Sequence, residues 1–170
     1  SIEKIFNAIE NYSQEAEVRY VGGCIRKILN NEKVEDIDLA TNNETIKVKS
    51  ALQKNGINFY ETGLTHRTIT ASIQNGKYEI TSLRSDVSTD GRHAKVEFTN
   101  NWLQDAERRD FTINTIYSDI NGNLFDPFDG KKELEEGKVI FVGDAKKRIK
   151  EDYLRILRYI RFFSNYSKLN

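Results

Sequence analysis

The stretch Val18-Arg19-Tyr20-Val21-Gly22-Gly23-Cys24-Ile25-Arg26, with Asp36-Ile37-Asp38 downstream of it, decides the fold. Val18–Val21 is a short β-type run, Gly22-Gly23 interrupts it, and Cys24, Ile25, Ile28 and Leu29 recur at helical spacing, which reads as strand, glycine turn, helix. Glycines without a Cβ let backbone N–H groups approach a phosphate, the next helix presents its positive end, and Arg26 adds a forked donor one turn in. A tight strand-to-helix turn needs glycine in any case, so the turn alone is a weak sign. Val34, Ile37 and Leu39 mark a second strand, loaded by Glu35, Asp36 and Asp38 with charge that a buried strand does not ordinarily carry. Two apart on a strand, Asp36 and Asp38 project from one face at roughly 6.6–6.8 Å axial separation. Such a pair can share two cations about 3.5–4 Å apart. The competing reading is a solvated edge strand, charged against aggregation. The glycine turn upstream weighs toward a triphosphate with magnesium.

Working outward, Ile2, Ile5, Phe6 and Ile9 predict a helix over 2–13, and Ile46, Val48, Ala51 and Leu52 another over 43–55 with Gly56 as its stop. Ile57–Tyr60 reads as a strand, and Thr68–Ile73 and Lys77–Leu83 as a hairpin turning at Asn75-Gly76. Glu79, midway along the second hairpin strand, supplies a third carboxylate if that strand neighbours Asp36. Residues 85–95 lack periodicity and read as a mobile loop. A helix is expected around 105–117 and a short apolar run at Val139–Val142. From Asp144 or Glu151 onward a helix runs almost to the terminus, because Leu154, Leu157 and Ile160 repeat every three residues. The class is α+β: a mixed β-sheet with flanking helices, then a short helical portion.

The chain has 170 residues, and its 26 Lys+Arg are cancelled by 26 Asp+Glu. A neutral chain is not a free-standing nucleic-acid clamp, since such clamps draw affinity from excess positive charge. With 38% hydrophobic and 31% charged residues it has the composition of a globular domain. No run approaches the roughly 18 apolar residues of a membrane span, and the N-terminus lacks a basic-then-apolar leader. A cytoplasmic location without a membrane partner is the expectation. The single cysteine, Cys24, cannot close an internal disulfide, and one Cys with two His is too few for a thiolate/imidazole zinc site. Any metal here is a hard cation held by oxygen.

Five ordered motifs together resemble one family. Val21-Gly22-Gly23-Cys24-Ile25-Arg26 with Asp36-Ile37-Asp38-Leu39-Ala40-Thr41 is similar to the nucleotidyltransferase head of class II tRNA CCA-adding enzymes and related poly(A) polymerases. The likeness continues through Glu79–Asp86, Thr89–His93, Arg108–Asn114 and Glu151–Arg158. The resemblance implies a polymerase-β-like head over residues 1–120 and the start of a helical neck over 121–170. It implies that Asp36 and Asp38 hold Mg²⁺, with Glu79 a third acid near an attacking RNA 3′-hydroxyl. It implies that Gly22, Gly23 and Arg26 cradle the triphosphate of CTP or ATP, and that Arg109 and Asp110, with Asn114 nearby, recognise ribose. Asp152 and Arg155 match the pair that reads the base edge in place of a template, with Arg158 and Arg161 on the next turns. The partner implied is a tRNA 3′ end.

The side-chain chemistry of the last pair is consistent with that role: Asp only accepts and Arg only donates, so together they suit the edges of cytosine or adenine. An ordinary Glu151–Arg155 helix ion pair, worth about 0.2–0.5 kcal/mol, is the competing reading. The chain departs from the family pattern at Lys27, where Asp is usual, at Arg67, where Gly is common, and at Tyr153, where Pro is frequent. It ends at Asn170 where the family continues. The expectation is therefore a piece of a longer protein, a head that works with a partner chain or second copy supplying the helical body, or a decayed fragment, with Phe162 and Phe163 exposed toward the missing segment or another chain. A head acting only as a non-catalytic nucleotide- or RNA-binding subunit, and a related transferase acting on a small molecule or protein, are the alternatives.

Overall fold

The computed structural model describes residues 1–62, 67–89 and 94–168. Helix α1 (Glu3–Glu10) turns Ile5, Phe6 and Ile9 fully inward. Strand β1 (Val18–Val21), helix α2 (Gly23–Leu29) and strand β2 (Ile37–Thr41) follow, then helix α3 (Thr45–Lys54) and strands β3 (Asn58–Thr62), β4 (Thr68–Ile73) and β5 (Gly76–Ser82). A separate antiparallel ribbon is formed by β6 (Arg84–Thr89) and β7 (Ala94–Phe98). Helix α4 (Trp102–Glu107), strands β8 (Tyr117–Ser118) and β9 (Leu124–Phe125), and helices α5 (Gly130–Glu135), α6 (Ala145–Glu151) and α7 (Leu154–Tyr166) complete the described chain. Among the described residues no helix is long and apolar enough to cross a membrane.

The main sheet runs β3-β4-β5-β2-β1-β8-β9, with β2 and β5 parallel and every other neighbouring pair antiparallel. Strand alternation gives it two unlike faces. Leu39, Ile80 and Ile69 lie opposite one another in register and meet Phe6, Val48 and Leu52 of α1 and α3 in the main core. Each such buried side chain contributes about 1.5–3 kcal/mol. One residue away, Asp38, Glu79 and Thr70 form the matching row on the other face. Toward β1 that other face is covered by α4, where Val21, Ala40, Leu83, Ala106 and Tyr117 pack together.

Several expectations are corrected. Strand β2 starts at Ile37, so Asp36 stands just before it on exposed backbone. In the hairpin, Ile73 pairs with Gly76, which moves the turn to Gln74-Asn75, and Gln74 takes the positive φ of 54°. The helix around 105–117 stops at Glu107, because residues 110–112 bond instead to the 140–142 segment: Thr112 N–H to Ile140 O at 2.9 Å and Val142 N–H to Asp110 O at 2.9 Å. Val139–Val142 accordingly forms no strand, only a single bridge, Phe111 to Phe141. The terminal helix is two helices, broken where Asp152 is extended and its carboxylate accepts the Leu154 N–H at 3.0 Å. Residues 85–89 and 94–95, expected as loop, are strand; 90–93 lie outside the described residues.

Helix α5 packs against the 110–116 segment only because Gly130 has no side chain: a Cβ there would meet Thr112 O at 2.1 Å. Helix α7 then closes the structure by burying Phe162 with Phe111, Ile113, Leu134 and Val139. Phe162, expected to be exposed, is 5% accessible, whereas Phe163 is 40% accessible.

Candidate active site

A cleft of about 600 Å³ opens on the polar face of the sheet, between β2, β5, the start of α2 and the start of α7. It is lined by eleven of the expected residues: Gly22, Gly23, Arg26, Asp38, Glu79, Arg109, Asp110, Asn114, Asp152, Arg155 and Arg158. Asp36 lies outside it, on an adjoining cleft that it shares with Asp38 and Glu79. Arg161 lies outside both, its guanidinium 5.1 Å from the Phe162 ring. Lys27, half-buried on α2, does not reach the cleft either.

Register brings the acids together. Asp38 and Glu79 are partners across the parallel β2–β5 pair, so both carboxylates stand on one face. Burial raises the Asp38 pKa above the usual carboxylate range and the neighbouring Glu79 raises it further, while Arg109 opposes them. Like-charged neighbours without a bonded cation fit a hard divalent ion that takes one or two carboxylates and completes its shell with phosphate oxygens and water. Asp36, just before β2, lines only the adjoining cleft. No group of three or more acidic, His or Cys side chains among the described residues closes a cage without such added ligands.

The glycine turn is conformationally demanding. Gly22 has φ 69° and ψ −122°, a region essentially closed to residues with a Cβ, and a Cβ at Gly22 would sit 3.6 Å from Nη1 of Arg109. Arg109 is fixed behind it: Nε and Nη2 donate to Asp105 Oδ2 at 3.3 and 3.2 Å, and Nε also donates to Tyr117 Oη at 3.2 Å. Although burial pushes the Arg109 pKa down, Tyr117 and Asp105 outweigh it and hold the guanidinium above its ordinary value.

A second network joins α2 to α7. Arg158 Nε donates to Asp110 Oδ2 at 2.7 Å, Asp110 Oδ1 accepts from Asn114 Nδ2 at 2.9 Å and from the Phe111 N–H at 2.8 Å, and Asn114 Oδ1 accepts from Arg26 Nη1. Arg26 also lies over the rings of Phe162 and Tyr166, at 4.7 and 5.0 Å. Burial pushes the Asp110 carboxyl up, but the hydrogen bonds from Asn114 and Arg158 prevail and leave it below the ordinary range.

At α7, the ion pair named as the competing reading is formed: Arg155 Nη1 donates to Glu151 Oε2 at 3.0 Å and to Arg148 O at 2.6 Å. It does not take Arg155 out of the cleft, since Asp152 and Arg155 line the same wall. The ion pair fixes the guanidinium at that cleft, which the exposed Asp152 also lines. Two further arginines were not singled out from the sequence. Arg84 lines the cleft with Nε buried and unbonded, and burial lowers its pKa. Arg148, 9% accessible, donates from Nη2 to the carbonyls of Arg108 and Arg109 at 2.7 and 2.6 Å and so holds the segment that carries Arg109 and Asp110. The sequence signal for Arg84 was its place in the Glu79–Asp86 motif; Arg148 had none.

Known proteins share the sequence family and the fold. Residues 18–140 match the family profile described as the poly A polymerase head domain. The human protein named CCA tRNA nucleotidyltransferase 1, mitochondrial, is 52% identical over 148 residues, which is 86% of this chain and 34% of the relative. The CCA-adding enzyme of Lactobacillus johnsonii is 37% identical over 150 residues, 87% of this chain and 37% of the relative. Among solved structures, the Bacillus stearothermophilus CCA-adding enzyme in complex with CTP superposes with a TM-score of 0.81 at 29% identity, over 98% of this chain and 40% of that one. A tRNA nucleotidyltransferase complexed with a primer tRNA and an incoming ATP analog gives 0.75 at 25% identity, over 96% and 46%. The chain thus spans about a third of the length of the curated relatives it matches. With the mixed sheet, the glycine turn and the paired carboxylates in the positions that the profile covers, the chain belongs to the poly A polymerase head-domain family.

Proposed function

We propose that this chain is the catalytic head of an RNA nucleotidyltransferase that adds CMP and AMP, from CTP and ATP, to a tRNA 3′ end without a nucleic-acid template. The observation that carries the reading is the Asp38–Glu79 pair standing in a cleft that five arginines also line. That composition suits a triphosphate with its metal, and the same cleft's Asp152 and Arg155 offer an acceptor and a fork of donors to a base edge. In the reaction, the RNA 3′-oxygen attacks the α-phosphorus in line, the bond to the bridging oxygen breaks, and pyrophosphate leaves.

Asp36 and Asp38 would hold Mg²⁺, with Glu79 a third acid near the attacking hydroxyl; the metal would lower the pKa of that hydroxyl and offset the charge on the leaving pyrophosphate. Arg26 and Arg84, each with a buried unbonded Nε, face the triphosphate, and the Gly22-Gly23 backbone allows its close approach. Arg109, Asp110 and Asn114 take the ribose, Asp152 and Arg155 the base, and Arg158 and Arg161 follow on the same helix. The head is assigned to residues 1–120 and the start of the neck to 121–170, with β9 returning to the head sheet. The compartment is one that holds immature tRNA: the cytoplasm on the sequence expectation, or the mitochondrion on the names of the mammalian relatives.

A second reading, a head completed by a partner chain or second copy, is favoured by the exposed Leu154, Leu157 and Ile160 on α7. Incubation with tRNA lacking its 3′ CCA, labelled CTP or ATP and Mg²⁺ tests transfer. Incorporation that Asp38→Ala abolishes is the expected result; incorporation that survives in Asp38→Ala overturns the metal assignment. A second readout needs no turnover. Mg²⁺ at a hundredfold excess over its Kd stabilises the wild-type chain by about 2.7 kcal/mol, seen as a raised melting temperature that Asp38→Asn does not show.

A further inference from the structure

A second cleft, of about 460 Å³, shares the carboxylate wall with the arginine-lined one, since Asp38 and Glu79 belong to both. Its other walls have different chemistry: Tyr60, Thr62, Thr70 and Lys77, with Asp36 at the edge. Sheet register explains their convergence. Tyr60 lies opposite Thr70, Thr70 opposite Glu79, and Glu79 opposite Asp38, so four side chains form one row across β3, β4, β5 and β2 on the face away from α1 and α3. Thr70 is buried as the floor of the row and bonds its hydroxyl to that of Thr62 at 3.0 Å. Tyr60, a large aromatic at the edge of the sheet, keeps 46% of its surface exposed beside the acids.

In-line displacement puts the entering and leaving oxygens on opposite sides of phosphorus. On the reading above, on which this inference rests, the arginines take the triphosphate on one side of the carboxylates. The attacking strand then enters from the other side, where these residues stand. We propose that this second cleft seats the single-stranded 3′ end of the RNA acceptor, with Tyr60 as a stacking platform for a base and Lys77 as a phosphate contact. Three interstrand steps of about 4.8 Å put Tyr60 roughly 14 Å from Asp38. That is longer than one nucleotide step, so the stacked base lies upstream of the terminal one. Away from the carboxylates, a threonine floor, one exposed ring and one cation make a stacking site in which Lys77 is the single positive group.

The test measures, on the same chain, anisotropy of a 5′-labelled short single-stranded RNA ending in two cytidines and, separately, CTP binding by calorimetry. Tyr60→Ala weakens RNA binding about 5- to 150-fold and Tyr60→Phe retains it, while CTP affinity stays at the wild-type value in both. Lys77→Gln makes the slope of log K against log salt shallower by about 0.7. Wild-type RNA affinity in Tyr60→Ala, equal loss of RNA and CTP binding, or no RNA binding by the wild-type chain overturns the proposal. Failure of the wild-type chain to bind CTP refutes instead the reading of the arginine cleft, and the RNA arm still reports on Tyr60.

Discussion

Arg148→Ala removes two guanidinium bonds to backbone carbonyls, at 2.7 Å to Arg108 and 2.6 Å to Arg109, and a 3.3 Å contact from Nη1 to Glu151 Oε2. Hydrogen bonds to a charged group contribute about 1.5–3 kcal/mol each, so the carbonyl pair alone represents about 3–6 kcal/mol. Two effects reduce the net loss. Burial disfavours the Arg148 guanidinium, lowering its pKa, and removing the side chain relieves that cost. Glu151 also keeps Arg155 as a partner. A net loss of about 3 kcal/mol is expected, or roughly 6–12 °C in melting temperature at about 2–4 °C per kcal/mol for a chain of this size. Arg148→Lys should recover part of it, because an ammonium is a point donor and does not fork to both carbonyls. Urea unfolding followed by far-UV circular dichroism and by the fluorescence of Trp102, the single tryptophan, measures the change. CTP affinity should fall in parallel, since the pinned segment carries Arg109 and Asp110. An Arg148→Ala variant within 1 kcal/mol of wild type at unchanged m value would refute the argument that this arginine fixes the segment.

The Asp110 network makes stability depend on pH. Its folded pKa is below the unfolded value of about 3.9, so its contribution is present above about pH 4 and lost as pH falls through the folded pKa. Because Arg158 is half-exposed, Arg158→Gln should cost only about 1 kcal/mol at neutral pH. The gap from wild type should close in acid; urea titrations from neutral pH downward that show a constant gap contradict the assignment. On α7, two apolar residues should behave oppositely. Phe162→Ala should cost about 3–5 kcal/mol, whereas Leu157→Ala, at a site 64% exposed, should stay within about 0.5 kcal/mol. Equal losses in thermal melts would contradict the packing of α7.

Local patterns were legible in the chain because their causes are local. The alternation of Leu39 with Asp38 and of Ile80 with Glu79 separates a core face from a polar face in any strand. A Gly22 at φ 69° needs glycine whatever surrounds it. These features placed β1, α2, β2 and the β4–β5 hairpin, and the motif resemblance marked eleven of the residues that line the cleft. Where the reading failed, distant backbone competed with local propensity. Residues 110–112 leave the helix because their hydrogen bonds are satisfied by residues 140–142, and residues 85–89 and 94–95 are strand because β6 and β7 pair with each other.

The sequence by itself determined the order of strands and helices from α1 to β5, the carboxylates on the polar face and the glycine turn, all set by backbone preference and side-chain alternation within a few residues. Only the tertiary structure decided that Phe162 is buried, that Arg148 serves carbonyls some forty residues away in the chain, and that Tyr60 shares a row with Asp38. Those outcomes depend on which distant backbone groups are left to be paired once the sheet has formed, and no short-range pattern encodes that.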